Sequence, residues 1–190
     1  TTASGLSEGI MWDYEQQALA DKLIDHYGLD KSMVPNLVPT FSNQGSLTTA
    51  AAEALGLKKG IPITYRSGDQ PNNAFSLNVL QPGEIAATAG TSGVIYGVAG
   101  SPVSDRQARI NTFVHVNHAR DASRYGVLMC VNGAGSMNSW LRRTLSSTNT
   151  GSISYAKMDE LALTVYPGSD GLTLLPFGNC AERILGNKEI

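Results

Sequence analysis

The stretch ITYRSGDQPNNAF, residues 63–75, places an acidic residue between a β-type run and the start of a helix. The run Ile61–Tyr65 predicts a buried strand that ends at the turn that follows it. Asp69 comes after this turn, and Pro71 then occupies the first turn of a predicted helix. A carboxylate held at a strand end and kept ionised by a helix N-terminus has the setting of a general base. Taken alone, the stretch favours a simple helix cap, because Asp is a preferred capping residue.

A second polar segment lies about twenty residues further along the chain. Two β-type runs, at residues 85–89 and 94–98, are joined by GTSG at residues 90–93, which predicts a hairpin with a glycine-rich tip. The exposed backbone N–H groups and the two hydroxyls of such a tip are suited to holding phosphate oxygens. Most turns of this composition are only turns, so the tip alone is a weak indication of a nucleotide site.

Other nucleotide-binding motifs are absent from the sequence. There is no Walker A sequence, and no Gly-Lys dipeptide occurs. Gly133 and Gly135 precede a predicted helix, but Asn138 stands where a dinucleotide fingerprint requires glycine. A Rossmann-type dinucleotide site is therefore not indicated.

One pattern points to a different chemistry. Gly5-Leu6-Ser7-Glu8-Gly9 matches the G-x-S-x-G pattern of serine hydrolases, in which the serine sits between a buried strand and a helix. Only TTAS precedes it, so the required strand is missing and a turn is predicted instead. A serine hydrolase built on Ser7 remains an alternative that labelling with a fluorophosphonate would test.

Composition narrows the class of protein. The 190 residues are 42% hydrophobic and 16% charged, which fits one large or two small globular domains. A net charge of −2 gives no electrostatic reason to expect a nucleic acid or a membrane surface as partner. The start has neither the basic nor the apolar region of a signal peptide. The two cysteines fit no metal motif, and we expect a reduced, cytoplasmic protein.

Predicted helices and strands alternate along the chain, which indicates an α/β or mixed α+β fold. The apolar spacing and the turn signals give both sets of elements. Helices are predicted at residues 14–27, 48–55, 71–80, 136–145 and 155–165, and strands at 61–65, 85–89, 94–98, 112–119 and 125–131.

The two polar segments together resemble the FGGY family of carbohydrate kinases, and the surrounding residues are most similar to its xylulose kinase-like members. The matching motifs are Gly68-Asp69-Gln70 and Ala89-Gly90-Thr91-Ser92-Gly93, with further matches at Ala3-Ser4-Gly5, Gly45-Ser46-Leu47, Pro176 and Glu182-Arg183. The resemblance implies an actin-like, ribonuclease-H-like ATPase fold, here partial, with a mixed sheet and flanking helices. It assigns residues 1–80 to the end of the first domain of a longer kinase and residues 81–190 to the start of the second.

The resemblance also implies roles for individual residues. Asp69 is expected to be the catalytic base, fixed and partly buried, and to contact the sugar together with Gln70. Gly90 and Thr91 are expected to contact the nucleotide phosphates. Gly135 is expected to lie near the nucleotide, with Asn138 and Ser139 as weaker candidates.

ATP with Mg²⁺ and a sugar are the small molecules that the resemblance implies, and no protein residue is predicted to bind metal. D-Xylulose is the leading substrate, with ribulose, fuculose, gluconate and glycerol as alternatives on the same framework. A non-catalytic nucleotide-binding module of the same fold is the alternative from another class. Several family segments have no match in this chain, so the resemblance implies an internal fragment that is inactive in isolation. A homodimer of the full-length enzyme is left open.

Overall fold

The computed structural model describes residues 1–148, 151–177 and 182–186. The chain divides into two compact units. The first comprises Thr1–Ala86, Tyr96–Ser104 and Asn111–Leu128, and the second comprises Ala87–Ile95, Asp105–Ile110 and the residues from Met129 onward. Within the described ranges, no helix has the length and apolar character needed to cross a membrane. The boundary near residue 80 that the resemblance implies concerns a longer protein and stays a prediction.

Six α-helices and six strands occur in the described residues. The helices are α1 (Ala3–Glu8), α2 (Asp21–His26), α3 (Thr49–Leu55), α4 (Asp69–Ser76), α5 (Ala134–Thr148) and α6 (Tyr155–Ala162). The strands are β1 (Trp12–Asp13), β2 (Ala18–Leu19), β3 (Ile85–Ala89), β4 (Gly93–Ala99), β5 (Asn111–Val114) and β6 (Tyr125–Val131). Short 3₁₀ turns lie at Lys31–Met33, Ser169–Gly171 and Arg183–Leu185.

The main sheet has four strands in the order β3-β4-β6-β5, and β1 pairs with β2 separately. β5 and β6 are antiparallel, with Asn111 opposite Leu128 and Val114 opposite Tyr125. The predicted hairpin is confirmed, since β3 and β4 are neighbours in the sheet and only three residues separate them. Helices and strands come in runs along the chain and do not alternate as predicted, but the fold is mixed α/β with a sheet and flanking helices.

The predicted buried strand at residues 61–65 is wrong. These residues belong to no regular strand and contact residues 40–47 through isolated bridges, at Tyr65 with Phe41 and at Pro62 with Ser46, and through single backbone hydrogen bonds. Ile61 and Ile63 are each 41% exposed, so the segment lies on the surface. Pro62 has no N–H to donate, and a continuous ladder therefore cannot run through the segment. The helix that follows is confirmed, although it begins at Asp69.

Two further predictions in the first unit are corrected. The predicted helix at residues 14–27 is reduced to α2, because the Asp13 carboxylate accepts the N–H groups of Glu15 and Gln16 and forms a turn instead. Residues 5–9, predicted as a turn, belong mainly to α1. Thr2 caps α1 by accepting the N–H of Gly5 at 3.2 Å.

The core of the first unit joins α1 to the sheet. Leu6, Trp12, Val114 and Tyr125 form its buried cluster. The Tyr14 hydroxyl donates to the Thr112 carbonyl at the edge of this cluster. Because α1 is anchored in this way, its C-terminal residues have a fixed position against the rest of the unit.

Candidate active site

The N-terminus of α4 presents the predicted base. Gly68 is the N-cap of the helix and Asp69 its first residue. Gly68 has no side chain with which to cap the helix, and Asp69 follows the N-cap position instead of occupying it, which argues against Asp69 as a simple helix cap. The N–H of Gly68 donates to Ser4 Oγ at 3.1 Å, which fixes the backbone before Asp69 to α1. The Asp69 side chain is exposed, whereas the resemblance implies partial burial.

A second carboxylate lies beside Asp69 and was missed by the sequence analysis. Glu8 Oε1 accepts the N–H of Gln70 at 3.0 Å, and its side chain is hydrogen-bonded to Asp69. Burial raises the pKa of Glu8, and the neighbouring Asp69 raises it further. No local pattern indicates this pair, because 62 residues separate Glu8 from Gln70.

Ser7 is structural and not a nucleophile. It is buried, its hydroxyl donates to the Ser4 carbonyl at 2.7 Å, and it accepts the N–H of Val114 at 2.9 Å. A hydrolase serine needs an exposed hydroxyl and an adjacent base. The hydroxyl thus donates within α1 and accepts a hydrogen bond from β5, which removes the support for a serine hydrolase.

The hairpin tip in the second unit is closed onto the start of α5. The N–H of Gly135 donates to the carbonyl oxygens of Gly90 at 2.9 Å and Thr91 at 3.1 Å, and the N–H of Ser136 donates to Thr91 at 3.2 Å. A Cβ on Gly135 would lie 2.1 Å from the Gly90 oxygen, so only glycine fits this contact. The N–H of Gly90 is used within the turn, on the Ser92 carbonyl. The hairpin tip was expected to have exposed N–H groups, but the N–H of Gly90 is already hydrogen-bonded.

A cavity of about 480 Å³ opens at this junction. Its lining includes Gly90, Thr91, Gly135, Ser136, Ser139 and Arg143. The four residues predicted to contact nucleotide are thus brought together. Arg143 was not predicted from the sequence; its Nη1 donates to Ser139 Oγ at 2.9 Å. Their i, i+4 spacing on one helix face was the available signal.

A more apolar cavity of about 390 Å³ shares Ser136 and Arg143 with the first. Met137, Trp140 and Leu174 contribute to its walls. The two cavities therefore offer a cationic, hydroxyl-rich compartment beside an apolar one. A nucleotide has the same division between its phosphates and its base.

The motif Glu182-Arg183 has a structural role in the second unit. Glu182 is fully buried, and its Oε1 accepts the N–H of Asn132 at 2.7 Å. Arg183 Nε donates to the Ala108 carbonyl at 2.7 Å. These two side chains therefore stabilise the backbone at Asn132 and at Ala108, and neither of them lines the two cavities. Cys180, one of the two cysteines of the chain, lies outside the described residues.

Asp69 and Gln70 belong to the first unit, and the residues of the 480 Å³ cavity belong to the second. Each group has its own fixed geometry. Among the residues that the structure describes, no group of three or more His, Cys, Asp or Glu side chains is arranged to hold a metal ion.

Comparison with known proteins identifies the relatives. The chain is 28% identical over 176 residues to gluconokinase of Bacillus subtilis, covering 90% of this chain and 32% of that protein. It is 21% identical over 177 residues to xylulose kinase of Lactococcus lactis, covering 93% of this chain and 34% of that protein. The chain thus spans about a third of the length of the curated relatives that it matches. No protein-family model matches it.

Solved structures show the same relationship. Xylulose kinase from Rhodospirillum rubrum superposes with a TM-score of 0.78 at 26% identity, covering 93% of this chain and 35% of that one. Gluconate kinase from Lactobacillus acidophilus gives a TM-score of 0.79 at 20% identity, covering 94% and 35%. The predicted fold class is confirmed as the actin-like ATPase fold with a mixed sheet and flanking helices. The chain is a partial homologue of the FGGY carbohydrate kinases.

Proposed function

We propose that the protein containing this chain transfers a phosphoryl group from ATP to a hydroxyl of a sugar or sugar acid, with Asp69 as the general base. The position of Asp69 carries this proposal. Its backbone is held from α1, its side chain is exposed, and it performs no capping for α4. A carboxylate that is fixed in place but exposed is available to a substrate. The kinase names of the relatives support the class of reaction.

In this reaction the protein forms no covalent bond to the substrates and acts mainly by positioning them and stabilising charge. A sugar hydroxyl attacks the γ-phosphorus, the bond from phosphorus to the ADP oxygen breaks, and the hydroxyl proton passes to a carboxylate. Asp69 accepts that proton, and Gln70, the next residue of α4, contacts the sugar with it. Asp69 lies in the first turn of α4, where the helix dipole interacts favourably with a negative charge.

The nucleotide side of the proposal rests on the 480 Å³ cavity. Gly90, Thr91, Gly135 and Ser139 surround it, and Arg143 adds a guanidinium group. Hydroxyls and a guanidinium are suitable partners for phosphate oxygens. Mg²⁺ would enter with ATP as part of the substrate and would neutralise charge on its phosphates.

D-Xylulose is the leading substrate of the proposal. Ribulose, fuculose, gluconate and glycerol are the alternatives, because the fold is shared by enzymes with different substrates. Relatives named for gluconate, xylulose and glycerol are all similar to this chain. We expect the enzyme in the cytoplasm, where ATP is available.

The test is a substrate panel on the complete gene product that contains the chain. ADP release with Mg²⁺ and ATP is measured for the five candidates, and the phosphorylated product is identified by ³¹P NMR. Sugar-dependent ADP release from one of them is expected, and it should be lost in Asp69→Asn. Nucleotide binding without any phosphorylated product would contradict the proposal and favour the non-catalytic nucleotide-binding module.

A further inference from the structure

Glu8 ends α1, within the pattern that first suggested a hydrolase. The pattern singles out Ser7, but the contacts of its neighbour point elsewhere. The Glu8 carboxylate lies directly against the α-carbon of Gly68. A Cβ at position 68 would stand 2.2 Å from Glu8 Cδ and 2.5 Å from each of its oxygens. The glycine of Gly-Asp-Gln is therefore the residue that makes room for Glu8.

Glu8 supplies the acceptor that the N-cap of α4 lacks. Gly68 has no side chain, and the N–H groups of Asp69 and Gln70 instead donate to the Glu8 carboxylate, the latter at 3.0 Å. An acceptor at a helix N-terminus stabilises the first turn and favours one backbone geometry there. Glu8 thus holds the peptide units on both sides of the Asp69 side chain.

Glu8 also contacts the Asp69 side chain itself. Two ionised carboxylates can only accept hydrogen bonds, so the bond between them requires one shared proton. The titratable groups that interact with Glu8 are Asp69 on α4 and Tyr96 on β4. Burial raises the pKa of the Tyr96 hydroxyl, and the negative charge of Glu8 adds to this effect. Tyr96 therefore stays neutral beside Glu8.

We propose that Glu8 is a positioning residue for phosphoryl transfer, which orients the Asp69 carboxylate through a carboxyl–carboxylate hydrogen bond and through the first amides of α4. This inference rests on the proposed function, since it assigns Glu8 a role through the base of that reaction. A purely structural role would confine Glu8 to stabilising α4. The two roles differ in what happens to the pH dependence of turnover.

Two substitutions separate these roles. Glu8→Gln keeps an oxygen for the N–H of Gln70 and an amide donor for Asp69, but it cannot titrate. Glu8→Ala removes both hydrogen bonds. Glu53→Gln is the matched control, because Glu53 is an exposed glutamate on α3. The kcat, the KM for the sugar, the pH–rate profile and the unfolding temperature are measured for each variant of the complete gene product.

The kcat of Glu8→Gln is expected to stay within roughly threefold of the wild-type value, because the glutamine keeps both hydrogen bonds that position Asp69. The acid limb of its pH–rate profile should shift, because the substitution removes a titrating group whose pKa is raised by burial and further by its neighbour Asp69. Glu8→Ala should lower kcat by about 10- to 100-fold, the usual consequence of a misplaced catalytic group, with a much smaller change in KM. Glu53→Gln should match the wild type in all four measurements.

Three results would overturn the inference or the function beneath it. An unchanged kcat and pH profile in Glu8→Ala would show that Asp69 needs no positioning by Glu8. A lower unfolding temperature with an unshifted acid limb in Glu8→Gln would reduce Glu8 to a structural residue. Full turnover in Asp69→Asn would instead refute the proposed base, and this outcome does not depend on how the Glu8 variants behave.

Discussion

Two glycines in this chain allow close approaches, and the atoms that approach them are different. Gly68 makes room for the Glu8 carboxylate, which is the far end of a side chain. Gly135 makes room for the Gly90 carbonyl, which is part of the backbone. A side chain can rotate away from an intruding methyl group, whereas a backbone carbonyl in a hairpin cannot move alone. The region around Gly68 can therefore adjust through the Glu8 side chain, whereas the backbone around Gly135 is fixed.

The largest effect on turnover is expected at Asp69, in the region around Gly68. Asp69→Asn keeps the shape and the hydrogen bonding of the side chain but cannot accept the substrate proton. Turnover should fall by roughly 10² to 10⁴, the usual contribution of general acid–base catalysis, while sugar affinity changes much less. Steady-state rates at saturating ATP, Mg²⁺ and sugar measure this. A variant that keeps more than about a tenth of wild-type turnover would mean that Asp69 is not the base.

The next largest effect is expected from a substitution at Gly135, where the backbone is fixed. Gly135→Ala places a methyl group 2.1 Å from the Gly90 oxygen. We expect a loss of about 1–3 kcal/mol in the free energy of unfolding, as for other overpacked sites, together with a raised KM for ATP. Denaturant unfolding and ATP-dependence of turnover measure the two quantities. Gly151→Ala is the control, since nothing lies within 4 Å of its added methyl group. Equal stability of the two variants would contradict the fixed junction.

Local sequence chemistry was enough to predict parts of both regions. Pro in the first turn predicted α4, and a glycine-rich tip between two β-type runs predicted the hairpin. Both signals act over a few residues. The strand at residues 61–65 was predicted wrongly, because an apolar run does not reveal whether its partner segment, residues 40–47, lies in the core or on the surface.

The contacts that make the candidate site were largely beyond prediction. Glu8 reaches Gln70 across 62 residues, and Arg183 reaches Ala108 across 75. No periodicity encodes pairs at such separations, since they depend on how elements pack. Asp13 likewise replaced the first half of a predicted helix by a turn, because its side chain competes for backbone N–H groups.

A smaller effect is expected at Gly68, and it sharpens the comparison. Gly68→Ala should displace the Glu8 side chain, and the contact at Asp69 would then be lost as in Glu8→Ala. We expect kcat to fall by about tenfold, equivalent to roughly 1.4 kcal/mol in the barrier. The double variant Gly68→Ala, Glu8→Ala should be no worse than Glu8→Ala alone, because both changes remove one interaction. Additive losses in this double-mutant cycle would show that Gly68 acts independently of Glu8.

The smallest effect concerns a buried histidine in the first unit. His115 is fully buried; Nε2 donates to the Val79 carbonyl at 3.0 Å, and Nδ1 accepts from the Tyr96 hydroxyl at 2.9 Å. Burial lowers the pKa of His115, and the charge of Arg124 lowers it further, while the Val79 carbonyl and Glu84 oppose this. A lowered pKa means that the unfolded chain binds a proton that the folded chain refuses. Stability should therefore be complete above the unfolded pKa of about 6.5 and fall as the pH drops below it, by at most about 1.4 kcal/mol per pH unit.

Urea unfolding of wild type and His115→Asn between pH 7.5 and about 5.5 measures this, with exposed His26→Asn as the control. The pH dependence should weaken in His115→Asn and persist in His26→Asn. Identical slopes in all three proteins would show that another group, with His118 as the first candidate since burial also lowers its pKa, causes the loss of stability.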